Sequence, residues 1–223
     1  MITLKNQTPF AEGDNRLCFV DPRDASRCLK VLKPGSLDRQ YQTARWHKRI
    51  RGRRAMNDNL REASAYRQTA ITRGSDQVWE HLARWYGQVE TDLGTANVTQ
   101  LVGSSPGKPG PTLEHLLKTR GLTPEIKNAL DKLENWLSAT GILTRNLLPH
   151  NLVALEQPSS LQLYIIDGLG APVIPRNLAL SPGLRRRYIN RRIRRMWLRA
   201  RWEANGRPGR WEDVEQQDRA NRY

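Results

Sequence analysis

The chain reads as an α+β protein built from two unequal lobes. Three features predict this. The first hundred residues hold short apolar runs bounded by turn residues, the mark of strands. Residues 103–111, GSSPGKPGP, space proline and glycine through a stretch with almost no apolar side chain, the mark of a connection. Beyond them, apolar residues recur at spacings of three and four, the helical period.

Each element follows in order. LCFVD (17–21) and RCLKVLK (27–33) flank DPRDAS, whose Asp-Pro start and polar residues supply turn chemistry, so an antiparallel hairpin is expected. Pro34-Gly35 ends the second strand. Residues 34–56 then carry Arg45, Lys48, Arg49, Arg51, Arg53 and Arg54, and read as a basic helix or an ordered insertion. Asn57, Asp58 or Asn59 can cap the next helix, LREASAYRQTAI (60–71), because a short polar side chain accepts from a free first-turn N–H. WYGQVETDLGTANVTQLV (85–102) reads as two strands about a turn at Asp92-Leu93-Gly94. After the connection, Leu113, Leu116 and Leu117 line a short helix, and Ile126, Leu130, Leu133 and Leu137 line a longer one.

Downstream, LVAL and LQLYIID flank the polar turn EQPSS. Two short strands there bring Asn151 and Asp167 side by side. The tail, 184–223, is dominated by arginine. Its first part predicts a helix with Leu184, Tyr188, Ile193, Met196, Trp197 and Ala200 on one face, and past Gly206 the pattern fades into a frayed end. The predicted partition is therefore 1–102, 103–111, 112–183 and 184–223. Trp46, Trp79, Trp85 and Trp136 are expected in the core or at the lobe junction. Trp197, Trp202 and Trp211 are open to packing, to stacking on bases or to a membrane interface.

Composition narrows the function. Lys and Arg number 37 against 22 Asp and Glu, a net charge of +15, which favours anionic partners: nucleotides, nucleic acid or an acidic lipid surface. No apolar run is long enough for a transmembrane helix, and the N-terminus has no secretory h-region. Two cysteines, Cys18 and Cys28, read as reduced thiols on neighbouring strands, with no disulfide-linked partner, in a cytoplasmic protein.

The chemistry concentrates at TRNLLPHNLVALEQPSSLQLYIIDGLG (144–170). One carboxylate, Asp167, and one amide oxygen, Asn151, together with phosphate oxygens and water suit octahedral Mg²⁺. Gly168 and Gly170 let the backbone turn sharply beside it. His150 reads as a loop residue pointing away from that site.

RNLLPHN (145–151) resembles the protein-kinase catalytic loop, and IDGLG resembles the aspartate-led metal motif. Gly13, Lys30, Glu62, Asn151 and Asp167 stand in the kinase order. EGDNRLCFVDPRDASRCLKVL, YGQVETDLGT, ILTRNLLPHNLV and IIDGLGAPVIP look like the YrbL family, PhoP-regulatory-network proteins of bacteria, over about residues 8–183. The resemblance implies a protein-kinase-like two-lobe fold of reduced size, with a small antiparallel sheet and one helix above a helical lower lobe. It also implies ATP and Mg²⁺ in the cleft. Gly13 would cover the phosphates, Lys30 would pair with them, and Glu62 would hold Lys30. Asn151 and Asp167 would bind Mg²⁺, and the adenine edge would meet the backbone of Leu101, Val102 and Gly103.

The departures are specific. Ala11 and Arg16 replace the outer glycines of the phosphate loop, and Asp14 adds an acid there. Asn146 stands in the position of the catalytic aspartate. An amide can orient a hydroxyl but cannot take its proton, and base assistance is worth roughly 10²–10⁴-fold. Leu148 replaces the lysine of that loop, and no APE-like anchor follows IDGLG, which argues against a docked protein substrate. The expected function is Mg-ATP binding with weak phosphotransfer to a small molecule or to the chain itself. The alternatives are a pseudokinase serving as a regulatory module, and a basic protein meeting nucleic acid or anionic membrane through faces 45–54 and 185–201.

Overall fold

The computed structural model describes residues 1–44, 46–50, 52–158, 160–170 and 181–220. Its upper part is an antiparallel sheet in the order β1-β2-β3-β5-β4. The strands are β1 (Ala11–Glu12), β2 (Arg16–Asp21), β3 (Asp24–Leu32), β4 (Trp85–Thr91) and β5 (Gly94–Gln100). Both predicted hairpins are present. The N-terminal segment is pinned at the sheet margin, because the Asp92 carboxylate accepts from the N–H groups of Leu4 and Lys5 at 2.7 and 3.2 Å.

Strand alternation divides this sheet into two unlike faces. Phe19, Leu29, Val31, Ala96 and Val98 point one way and bury against Ile2 and Leu4. Arg16, Cys18, Cys28, Lys30, Asn97 and Thr99 lie on the other face, as the register shows: Cys18 is opposite Lys30, Lys30 opposite Asn97, and Cys28 opposite Thr99. The second face looks toward the cleft.

The basic insertion is helical in pieces: α1 (Ser36–Thr43), α2 (Trp46–Arg49) and a 3-10 turn at Arg53–Met56. Arg45 and Arg51 of the predicted basic face 45–54 lie outside the described residues. Arg49 and Arg53 each lie over the Tyr41 ring at 5.2 Å. Trp46, expected in the core or at the lobe junction, is 74% exposed on the single-turn α2.

Helix α3 (Asp58–Ala65) starts at Asn57, whose side chain accepts from Leu60 N–H at 3.1 Å. It is shorter than the predicted 60–71. The chain bends at Tyr66–Gln68 before the short α4 (Thr69–Thr72), because long-range bonds there override helix continuation. Tyr66 Oη donates to the Ala83 carbonyl at 2.9 Å, and the Gln68 amide brackets the Leu143 backbone at 2.8 and 3.1 Å.

The predicted linker is a structured junction. Gly107 N–H donates to Ala25 O, Gly110 N–H to Val102 O, and Ala154 N–H to Pro111 O. A Cβ on Gly103 would fall 1.9 Å from the Lys108 carbonyl oxygen, so only glycine lets the segment fold back this tightly. Below it come α5 (Leu113–Arg120) and α6 (Pro124–Thr140), capped by Thr112 and Thr123, whose hydroxyls accept from His115 and Ile126 N–H. Strands β6 (Leu152–Gln157) and β7 (Ser160–Ile165) form the third expected hairpin.

The tail departs from expectation twice. Helix α7 (Pro182–Ala204) buries Ile189, Ile193, Met196 and Ala200 in the same core as Leu116, Leu130 and Leu133, while Leu184 is 40% exposed. Leu184 sits in the first turn, before the helix reaches the core. The described residues past Gly206, up to 220, are also not frayed. After Pro208-Gly209 the chain turns back as α8 (Trp211–Ala220). Arg195–Glu215 and Arg194–Asp218 ion pairs at 2.7 Å and a Trp202–Trp211 edge contact at 5.6 Å lay it along α7. These tryptophans therefore pack internally, and Trp197 Nε1 donates to Glu134 at 2.6 Å.

Candidate functional site

Lys30 reaches the cleft because β3 alternation places it on the polar face of the sheet. Its Nζ donates to Glu62 Oε1 at 2.6 Å, and both side chains are 5% exposed. Helix α3 presents Glu62 to that face, and Asn97 Nδ2 donates to Glu62 Oε2 at 2.8 Å. Asn59, one turn before Glu62, donates to the carbonyls of Lys30 and Thr95 at 3.0 and 3.1 Å, tying helix to sheet. Lys30 Nζ also donates to the Ile166 carbonyl, immediately before Asp167. Burial, the largest single influence, disfavours the ammonium, but the charges of Glu62, Asp167 and Cys28 together hold the Lys30 pKa above its ordinary value.

Asp167 follows β7. The Ile166 N–H donates to the Asn151 carbonyl at 3.0 Å, so the hairpin does place Asn151 and Asp167 at the same end. Gly168 closes this corner. Its φ is 82°, its carbonyl accepts from the N–H groups of Arg145 and Asn146, and a Cβ would lie 2.3 Å from the Asn146 oxygen. Asn151 Nδ2 donates to that same Asn146 carbonyl at 3.2 Å. Asn146 thus borders the Asp167 corner. His150 is exposed, in a 3-10 turn at Pro149–Asn151.

The remaining expected residues sit around this centre. Gly13 lies in the turn between β1 and β2, its N–H on the Arg16 carbonyl at 2.9 Å. Leu101, Val102 and Gly103 follow β5. Leu101 N–H is engaged by Ser26 O, and Val102 O accepts from Gly110 N–H.

Sequence reasoning does not single out Arg16 as a site residue. Its guanidinium donates to Glu62 Oε2 at 2.6 Å and to Asp167 Oδ2. Alternation puts Arg16 and Cys18 on one face of β2, and the register of β2 against β3 makes it the face of Lys30. Burial would raise the Asp167 pKa, but the charges of Arg16 and Lys30 and the hydrogen bonds from Arg16 and Gly168 N–H pull it down to about 2. The carboxyl is therefore ionised at any ordinary pH.

The two thiols line the same face. Cys18 is half-buried and Cys28 buried, both free. Hydrogen bonding from Cys28 outweighs burial and, with the Lys30 and Arg16 charges, lowers the Cys18 pKa to about 7, while Cys28 is raised.

Asp167 and Asn151 carry side-chain oxygens at one corner, the donor type a hard divalent ion would take, with water and phosphate needed to complete its shell. Among the described residues, no cluster of three His, Cys, Asp or Glu offers an all-protein metal site.

A family model described as PhoP regulatory network protein YrbL matches residues 2–201. The YrbL protein of Escherichia coli (strain K12) is 29% identical over 174 residues, which cover 76% of this chain and 74% of that one. YrbL of Shigella flexneri gives the same figures. Among solved structures, the PknI kinase domain of Mycobacterium tuberculosis aligns at 14% identity and a TM-score of 0.49, covering 88% of this chain and 73% of its own. No helix among the described residues is long and apolar enough to cross a membrane. The family match takes in the upper sheet, the cleft residues and most of α7, and the chain belongs to the YrbL family of PhoP regulatory network proteins.

Proposed function

We propose that this protein is a nucleotide-binding module of kinase type, with Mg-ATP in the cleft beneath β2 and β3 and little or no phosphotransfer. The observation that carries this reading is the buried Lys30–Glu62 pair, whose ammonium reaches the residue before Asp167. A buried ion pair is weak evidence for stability. Its presence makes sense when the cation serves a ligand that brings phosphate. Asp167 and Asn151 would hold the metal, which neutralises phosphate charge when bound. Lys30 would orient the phosphates, with Glu62 and Asn97 keeping it in place. Asn146 limits the chemistry, because no carboxylate stands in its place to take a proton from an acceptor.

Thermal melting tests this. Mg-ATP raises the midpoint of the wild type, since a ligand bound only by the folded state stabilises by mass action. Lys30→Ala removes the rise while keeping a cooperative melt. A wild type whose midpoint does not move with Mg-ATP sinks the reading.

A second reading rests on the exposed Arg186, Arg187 and Arg191 of α7. They form a basic surface suited to a polyanion, whereas α8 neutralises Arg194 and Arg195. The two readings concern different surfaces and are compatible.

A further inference from the structure

Arg16 is buried, with 10% of its side chain exposed, although a guanidinium is costly to bury. Two carboxylates compensate: Glu62 at 2.6 Å and Asp167. Lys30 uses the other oxygen of Glu62. The cluster is thus two cations against two anions, balanced within the protein. Asp167 is the only carboxylate of the donor pair that would hold a metal. One of its oxygens accepts from Arg16 Nη2 and the other from the Gly168 N–H at 2.6 Å. The Asp167 side chain is 44% exposed, so it is reachable from the cleft, but its charge is already met.

We propose that Arg16 is a built-in competitor of the metal at Asp167, so that nucleotide binding by this chain gains little from Mg²⁺. This rests on the nucleotide reading above. Arg16 cannot be released by losing its proton, because a guanidinium stays charged. While it stays on Asp167 the metal meets an occupied carboxylate, and the guanidinium N–H donors not used by Glu62 and Asp167 can serve a phosphate oxygen. Arg16 and Lys30 together then supply on the phosphates the positive charge that a divalent ion otherwise brings. Arg16 stands where the phosphate loop would carry a glycine, a residue with no side chain to compete. The substitution therefore changes which cation serves the site.

The test is isothermal titration of ATP in excess EDTA and in excess Mg²⁺. It compares the wild type with Arg16→Gly and Arg16→Gln, each checked for a cooperative melt. Gln retains bulk and a donor for Glu62, so one variant remains informative if the other does not fold. The wild type is expected to bind ATP about equally in the two buffers. The variants should bind less well in EDTA and show a Mg²⁺ enhancement of roughly tenfold or more, an ordinary size for coupling between two ligands. Equal enhancement in wild type and variants overturns the proposal. If no form binds ATP in either buffer, the nucleotide reading itself fails. Competition is then read with Mn²⁺ alone, from the decrease in its free-ion paramagnetic resonance signal. Tighter Mn²⁺ binding by the variants supports the competitor role, and equal or absent binding overturns it.

Discussion

Arg16, Lys30 and Cys18 reach one face because the register of β2 against β3 places them there, and their chemistry is mutual. Arg16 and Lys30 hold Asp167 ionised, and the same charges favour the Cys18 thiolate. The hydrogen bond from Cys28 is the largest lowering influence on Cys18. Alkylation of Cys18 by iodoacetamide, followed by peptide mass mapping, should therefore show a rate midpoint near pH 7. Cys28→Ala should move that midpoint up toward the ordinary thiol range of about 8.5. An unchanged midpoint in Cys28→Ala would mean that the cations alone set it. At this scale the sequence is partly legible. Lys30, Glu62, Asn151 and Asp167 stand out by their order, and Asn57 is one of three cap candidates. Arg16 stands out only as a missing glycine, because a motif is read for what it lacks. What an inserted side chain reaches depends on register across β2 and β3, which no local pattern records.

Among elements, those with strong periodicity are legible and those decided by distant partners are not. α6 shows its apolar stripe in sequence. α3 stops early because Tyr66 and Gln68 bond to residues up to 75 positions away. In α7 arginine masks the stripe, which hides Ile189 and makes Leu184 look inward-facing. The acidic α8 is not apparent in sequence because its role is to answer charges on another helix. Ile193→Ala should cost about 2–5 kcal/mol in urea unfolding, the usual range for truncating a fully packed side chain. Arg186→Ser, on the exposed side, should stay within about 0.5 kcal/mol. Similar destabilisation by the two would mean that α7 is not part of the lower core.

For the whole molecule, the sequence shows two lobes and a connection, but it presents the connection as loose. The structure bonds it at Gly107, Gly110 and Ala154 and adds a second junction through Ala83 N–H and Ile165 O at 3.1 Å. Across the cleft, Lys30–Ile166 and Arg16–Asp167 join the lobes directly. The +15 charge is likewise less free than composition suggests, because α8 covers part of it. Binding to a fluorescent DNA duplex should weaken steeply with salt. Replacing Arg186, Arg187 and Arg191 by serine should flatten the log–log salt slope by roughly 0.9 for each phosphate that is no longer neutralised. A slope the same in both proteins would assign the interaction to another surface.

Tyr188 Oη donates to the Thr144 carbonyl at 2.9 Å, next to the loop that carries Asn146. Trimming the gene to shed the arginine-rich end therefore also strips a wall from the lower lobe and a strut from its functional loop. A shortened version meant to stay folded should keep every codon through Ala204. The first place to stop beyond it is the bend at Pro208-Gly209, where the acidic cover and the Trp211 contact with Trp202 are lost but the buried face of α7 is kept.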